Sequence, residues 1–368
     1  MKNVALIFGG VSGEHEVSCA TAGGVFRALD RTRFTPIAIG ISKSGRWVRV
    51  PDSVIETFRI VDGQLPEIPA DNPYPDALLL HEDEGVVVGV RDGQTICDPE
   101  PVDVAFALLH GPFGEDGTIQ GWFEMLGLPY VGAGVASSAM SMDKDLTKLQ
   151  LQAAGIPVVP WVKVTPADWQ RRRSAIEAEV ADLGYPVFVK PSRMGSSVGM
   201  TRVKNPEDLA DAIAKAQAYD PQVLVEAGLS GAREIEVGVL GGHGFDLPRV
   251  SCPGEIVVAG NDGFYDYDAK YRGLDFVTLE VPAKLDPALT ERLQEMAAKV
   301  FQVMRVEGLA RVDFFVVDGE PVVNELNTMP GFTSASLFPQ VWGVSGYSYT
   351  ELISELLDLA LERPVGLR

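Results

Sequence analysis

The chain has 368 residues, 46% hydrophobic and 22% charged, and its 31 Lys and Arg against 51 Asp and Glu leave a net charge of −20 at pH 7. An acidic surface raises the energy of approaching a polyphosphate backbone, which argues against nucleic acid as a partner but leaves small ligands open, because a local cluster can be basic. No apolar run reaches the roughly 18 residues of a membrane span, and 3 widely spaced cysteines and 4 histidines without paired ligand spacing make a disulfide scaffold or a zinc site a poor reading.

At roughly 150 residues per domain the length suggests two or three domains. The opening MKNVALIFGG has too short an apolar stretch for a signal peptide and reads as a first strand entering a glycine turn, so a mature, cytoplasmic protein is expected. VALIF, GEHEVSCATAGGVFRAL, FTPIAIGI, VDVAFALLH and GWFEMLGL alternate apolar runs with helical patterns, which predicts a parallel α/β sheet over 1–133. Pro51 to Asp98, rich in Pro, Asp and Gly, reads as an insertion or hairpin region. The pattern from Ala136 predicts one helix ended by Gly155 and Pro157. YPVFVKP, a glycine-serine loop, GMTRV, a helix capped by Asn205 and opened by Pro206, and QVLVEAGL make an α+β unit within 134–230. The rest, 231–368, is strand-rich, with helices at Ala288–Met304 and Thr350–Leu361.

Five segments carry chemistry. Gly9-Gly10-Val11-Ser12-Gly13-Glu14 is not a dinucleotide fingerprint, since G-x-G-x-x-G would need glycines where Val11 and Glu14 stand. Glu14 is either a helix-start acid or a carboxylate holding a substrate ammonium. HGPFGEDGTIQG, His110 to Gly121, follows an apolar strand and is dense in glycine, as a ligand loop at a strand's carboxyl end should be. For His110 itself a structural role and a site role are both open. Lys190 enters PSRMGSSVGM, where Ser196 and Ser197 add donors beside a cation, a phosphate-binding pattern that is not a Walker A loop. Gly263 to Tyr271, with three tyrosines and Lys270, reads as an ordered loop, either packed or serving as a lid.

The fifth segment joins Arg311-Val312-Asp313 to Glu325-Leu326-Asn327 across Asp318-Gly319. A regular two-residue turn would send Glu325 and Asn327 to the face opposite Asp313. A three-residue loop, Val317 to Gly319, would put 311, 313, 325 and 327 on one face, offering three oxygen ligands of the kind Mg²⁺ takes. The odd-length loop is therefore expected.

Taken in order, FGGVSGEHEVS, HGPFGEDGTIQG, MDKDLTK, KPSRMGSSVGM, YDYDAKY, ARVDFF and NELNTMPGFTSASL make the chain resemble the D-alanine:D-alanine ligases of the ATP-grasp superfamily over nearly its whole length. The resemblance implies an α/β fold with an α+β central domain, in a three-domain ATP-grasp architecture. It implies ATP and two D-alanines as substrates, two Mg²⁺ or Mn²⁺ ions, room for a monovalent cation such as K⁺, a homodimer, and a dipeptide product for peptidoglycan precursors. By the same likeness Glu14, linked to Ser196 and Tyr271, holds the first D-alanine's ammonium, and His110 is a further substrate-binding position. Lys144, Lys190, Ser197, Glu226, Glu234 and Asn327 bind ATP; Asp313, Glu325 and Asn327 hold metal; and Lys270 closes over the phosphate. Arg311 and the Gly331 N–H stabilise an oxyanion, while Ser336 and Leu337 receive the second carboxylate. Tyr at 271 goes with dipeptide synthesis in the resembling family, and Phe with D-lactate ester formation. An acidic chain handling ATP also leads us to expect a locally basic cleft, with Lys144, Lys190, Lys270 and Arg311 reversing the field.

Overall fold

In the computed structural model, which describes residues 1–61, 63–258 and 277–364, three sheets follow one another along the chain. β1 (Lys2–Gly9), β2 (Phe34–Ile41), β3 (Trp47–Arg49), β4 (Asp76–Glu82), β5 (Gly85–Asp92), β6 (Thr95–Pro101) and β7 (Val104–Ala107) form the first, in the order β6-β5-β4-β3-β2-β1-β7. Only β2, β1 and β7 run parallel; β3 to β6 add an antiparallel extension. The segment expected as an insertion is this extension plus a short helix, Asp52–Ile55. Val4 through Phe8 are fully buried, as a strand covered on both faces requires. Val4, Leu6 and Phe8 pack toward helix His15–Ala28 and the C-terminal helices, whereas Ala5 and Ile7 pack toward helix Thr118–Leu126. Alternation thus assigns each residue to one of two cores.

β8 (Trp161–Val164), β9 (Val187–Pro191), β10 (Thr201–Val203) and β11 (Val223–Ala227) make an antiparallel sheet in the order β10-β9-β11-β8. Helices Pro166–Leu183 and Leu209–Gln217 cover it through Ile176, Val180, Leu209 and Ile213. The first of these helices was not expected from the sequence. Only Ile176 and Val180 of its 18 residues are buried, so its apolar stripe is faint, although Thr165 caps it by accepting from Asp168 N at 3.1 Å. The helix expected from Ala136 to Gly155 is two, Val135–Met142 and Lys144–Ala153. Asp143 breaks it with extended backbone and caps the second piece through Asp145 N and Leu146 N. Asn205 makes no side-chain cap, and its helix begins as a 3₁₀ turn, Pro206–Asp208.

β12 (Arg233–Leu240), β13 (Arg249–Val258), β14 (Val277–Glu280), β15 (Leu309–Val317) and β16 (Glu320–Asn327) form the third sheet, antiparallel in the order β14-β13-β12-β15-β16. Helix Pro287–Val303 covers one face through Leu293, Ala297 and Val300. Helix Leu337–Val344 approaches the other so closely that a Cβ on Gly238 would lie 2.6 Å from the Trp342 indole nitrogen. The final helix, Tyr349–Glu362, returns to the first sheet, burying Leu352, Leu356 and Leu357 with Phe8 and Phe106.

The β15–β16 turn corrects one expectation and keeps its consequence. Val317 pairs with Glu320, so the loop has two residues, and Asp318 and Gly319 take φ of 52° and 80°, the left-handed pair that a type I′ turn demands. Phe314 pairs with Val323, but Asp313 pairs with Glu325, so Asn324 is an extra residue on β16. This bulge restores the parity that the turn would have lost, and Arg311 stands opposite Asn327.

Candidate functional site

Between the second and third sheets lies a cavity of about 520 Å³ lined by Lys144, Lys190, Ser196, Ser197, Glu226, Glu234, Glu236, Asp313 and Glu325. A larger one, about 800 Å³, lies against the first sheet and is walled mainly by apolar side chains such as Val11, Trp47, Leu79 and Trp122. The smaller one gathers the charged groups and is where chemistry can occur.

On its hairpin wall the Arg311 guanidinium forks onto Asp313, both bonds 2.7 Å, and reaches Glu236 at 3.0 Å. Burial would lower the Arg311 pKa, but Asp313 and Glu236 hold it well above its ordinary value, so the cation is permanent. Asn327 Nδ2 donates to Asp313 Oδ2 at 2.9 Å, and Lys144 Nζ lies 3.6 Å from Glu325. The ladder makes Glu236, Asp313 and Glu325 one row across β12, β15 and β16. Hard oxygens on facing strands fit a divalent cation such as Mg²⁺. Among the described residues no cluster of three or more His, Cys, Asp or Glu forms an all-protein cage.

Across the cavity Lys190 Nζ meets Glu226 at 2.7 Å, and buried Lys148 meets the same carboxylate at 3.2 Å while donating to Val159 O at 3.0 Å. Burial alone would raise the Glu226 pKa, but Lys148 and Lys190 pull it below the usual carboxylate range. Lys144 Nζ donates to Met194 O at 2.9 Å, tying helix Lys144–Ala153 to the glycine-serine loop. Lys144, Lys190 and Arg311 each face a carboxylate, so among the described residues the expected basic cleft is instead a set of paired charges.

Glu14 occupies the N-cap of helix His15–Ala28 without capping it. Its carboxylate instead accepts from Ser196 Oγ, 182 residues later, so the simple helix-start reading does not hold. Gly9, with φ of 87°, makes this entry possible: a Cβ there would lie 2.3 Å from Ile41 O. Ser196 and Ser197 have φ of 49° and 59°, two successive non-glycine residues in the left-handed region, a strained conformation for L side chains. His110, 5% exposed, places Nδ1 3.2 Å from Met329 O. A carbonyl can only accept, so Nδ1 carries the proton, and buried Nε2 has no hydrogen-bond partner among the described residues. Burial lowers the His110 pKa and Glu14 opposes that, leaving the ring below its ordinary value.

Gly331 sits against Ser336, whose Oγ accepts from Thr333 N at 3.1 Å. Ser336 precedes helix Leu337–Val344, and the Leu337 side chain is in the core, leaving its backbone as the group available to a ligand. Lys270 and Tyr271 lie outside the described residues.

The sequence reading passed over three groups: Lys148, Glu236 and Glu115. Lys148 stands four residues after Lys144, one helical turn on, and Glu236 alternates with Glu234 on β12. Glu115 lies within the GEDG segment and accepts from Gly111 N at 2.7 Å and Met329 N at 3.2 Å. Burial and the neighbouring Glu14 push its pKa up to about 8.

Residues 3–133 match the family model for the D-ala D-ala ligase N-terminus, and residues 150–358 match the model for its C-terminus. The chain is 48% identical to a D-alanine–D-alanine ligase of Kineococcus radiotolerans, covering 99% of this chain and 98% of that one. It is 47% identical to one of an Arthrobacter species, covering 99% and 95%. Among solved structures, a D-alanine–D-alanine ligase from Coxiella burnetii superposes with a TM-score of 0.81 at 31% identity, covering 98% of this chain and 94% of that one. A D-Ala:D-Ser ligase from Enterococcus faecalis also gives 0.81, at 34% identity, covering 98% and 99%. With both family models matched in order and full-length relatives at 47–48% identity, the chain belongs to the D-alanine–D-alanine ligase family of the ATP-grasp superfamily.

Proposed function

We propose that this chain joins two D-alanine molecules into D-alanyl-D-alanine at the cost of ATP, for peptidoglycan precursors, with its residues in the following roles. The first D-alanine's carboxylate oxygen attacks the γ-phosphorus of ATP, and ADP departs. The second D-alanine's amine then attacks the acyl carbon, a C–N bond forms, the amine gives up a proton, and phosphate leaves with the former carboxylate oxygen. The observation that carries the reading is the link from Glu14 to Ser196, which brings a carboxylate from the turn after β1 to the glycine-serine loop.

Glu14 holds the first ammonium, and Ser196 fixes the carboxylate's orientation. His110 donates no proton from Nε2 in its neutral form, so it meets the first substrate as an acceptor or after protonation. Lys144, Lys190 and Ser197 receive phosphate oxygens, which requires Lys190 to share its ammonium between Glu226 and the nucleotide. Glu226 and Glu234 line the base and ribose side. Asp313, Glu325 and Asn327 would hold two Mg²⁺ ions, whose chemistry is to neutralise charge on the transferring phosphoryl group. Arg311 and the Gly331 N–H face the oxyanion, and preorganised donors of this kind are worth about 10²–10³ in rate. Ser336 and the Leu337 N–H receive the second carboxylate and so orient the amine. Lys270 and Tyr271 close the site, and the three units meet near residues 133 and 230. A cytoplasmic homodimer completes the reading.

The test is phosphate release from Mg-ATP with D-alanine, D-serine, L-alanine, D-lactate or no acceptor, with products identified by mass. Release with D-alanine alone, yielding the dipeptide, is expected; a mixed D-alanyl-D-serine product would move the chain toward the activity of its Enterococcus neighbour. Tyr271→Phe should admit D-lactate as second substrate, and unchanged strict dipeptide formation would refute that role.

A further inference from the structure

One carboxylate joins the loop that follows β7 to the loop that follows β16. Glu115 Oε2 accepts from Gly111 N at 2.7 Å, and its Oε1 accepts from Met329 N at 3.2 Å, 214 residues away. Met329 returns the contact through its carbonyl, 3.2 Å from His110 Nδ1. The Met329 peptide groups are therefore tied at both polar ends to the segment that follows β7. Gly111 is itself a wall of the neighbouring site, since a Cβ there would lie 3.2 Å from Glu14 Oε2. Met329 stands two residues before Gly331. Displacing either N–H from Glu115 would shift the backbone beside the Glu14 carboxylate or the backbone that presents the Gly331 N–H.

We propose that Glu115 is a positioning residue that sets the separation between the ammonium anchor Glu14 with His110 and the Gly331 oxyanion donor, by holding Gly111 N and Met329 N on its two oxygens. The proposal rests on the site roles given above for Glu14, His110 and Gly331. It requires the geometry of two acceptors on one side chain, not charge alone. Gln keeps one acceptor and turns an N–H₂ group toward the other N–H. Asp keeps the charge but falls short by one carbon–carbon bond, about 1.5 Å.

The experiment is steady-state dipeptide synthesis by the full chain and by Glu115→Gln, Glu115→Asp and His110→Asn, resolving the KM of each D-alanine and of ATP, with circular dichroism to confirm folding. Both Glu115 variants should raise the first-site KM and lower kcat by about tenfold each, the scale of a buried N–H donor left without its acceptor, with the ATP KM within twofold. A near-normal Asp variant beside a damaged Gln variant would show that charge alone matters, and would overturn the proposal. So would unchanged constants in both, or a loss in which kcat falls only with the folded fraction while every KM stays put. Damage in His110→Asn with both Glu115 variants intact would remove Glu115 alone. Intact activity in all three would remove the site reading with it, and a wild-type chain that makes no dipeptide would remove the function itself.

Discussion

On β15 and β16 four site side chains are placed by ladder register, and their neighbours across the strands are fixed by the same hydrogen bonds that make the sheet. Glu14, His110 and Glu115 form a second, loop-borne wall on the segments that follow β1 and β7, where no ladder reaches them. Each is held by a long-range contact: Glu14 by Ser196, His110 and Glu115 by Met329. The hairpin wall thus carries its geometry in the fold, so removing one of its charges should cost chemistry more than shape. The loop wall carries its geometry in a few bonds, and changing a partner should act nearly as far as changing the group itself.

The largest effect is expected on the hairpin. Asp313→Asn keeps the ladder and the side-chain shape but removes the charge shared by Arg311 and Asn327. Phosphate release should fall by about 10²–10³, with far-UV circular dichroism unchanged. A variant of near-normal rate would break the comparison at its stronger end.

Loop-wall substitutions should be milder and graded. Glu14→Gln removes the charge that receives an ammonium, and the first-site KM should rise by about 10- to 100-fold. Ser196→Ala leaves the carboxylate and removes only its partner, so a rise of about fivefold is expected. Measured in one assay, a Ser196 effect larger than that of Glu14 would mean that Ser196 contacts substrate directly.

The loop wall should also be the pH-sensitive one. Glu115 has its folded pKa raised from 4.5 to about 8, so the folded state binds its proton more tightly than the unfolded state does. The resulting penalty is absent below pH 4.5, grows as pH rises, and is complete above about 8. The melting temperature should therefore fall across that window by a few degrees attributable to this group. Glu115→Gln should flatten that part of the profile, and an unchanged slope would show that the carboxyl is not held in its acid form.

Much of this site was legible in the sequence because its residues occur in contiguous motifs. Strand parity set Arg311 beside Asp313 and Glu325 beside Asn327, but brought the two pairs to one face only through an odd-length loop that the chain does not have, while the glycines around Glu14 and His110 marked turns at strand ends. Asp143 shows what was not legible: a helix break and a cap are written with the same residue, and only its bonds to Asp145 N and Leu146 N separate that reading from a continuous helix. Glu115 was visible as an acid in a loop, but its partner Met329 lies 214 residues away, and no local pattern encodes a contact of that range. The helix Pro166–Leu183 escaped because it buries only Ile176 and Val180, too few for periodicity to register.

The smallest effect should come from the bulge, and it tests how the hairpin wall achieves its parity. The sequence reading needed an odd loop, while the chain uses an Asp318-Gly319 two-residue turn and places the odd residue at Asn324. Deleting Asn324 would leave Phe314 opposite Val323 and Asp313 opposite Glu325, now in unbroken alternation, so all four side chains keep one face. What changes is the local bend that a bulge imparts and the Asn324 side chain at the cavity wall. The deletion variant should fold and retain dipeptide synthesis within about tenfold of the parent, a cost of about 1.4 kcal/mol in the barrier. Deleting Val322 together with Asn324 moves Val323 and the residues after it one step toward the turn, with no extra residue left to absorb the change. If the ladder from the turn is kept, Phe314 then meets Glu325, and Asp313 meets Leu326 in place of Glu325. Activity in that second variant should be lost. If the first deletion is as damaging as the second, the bend at Asn324, and not parity, is what aligns Glu325 with Asp313.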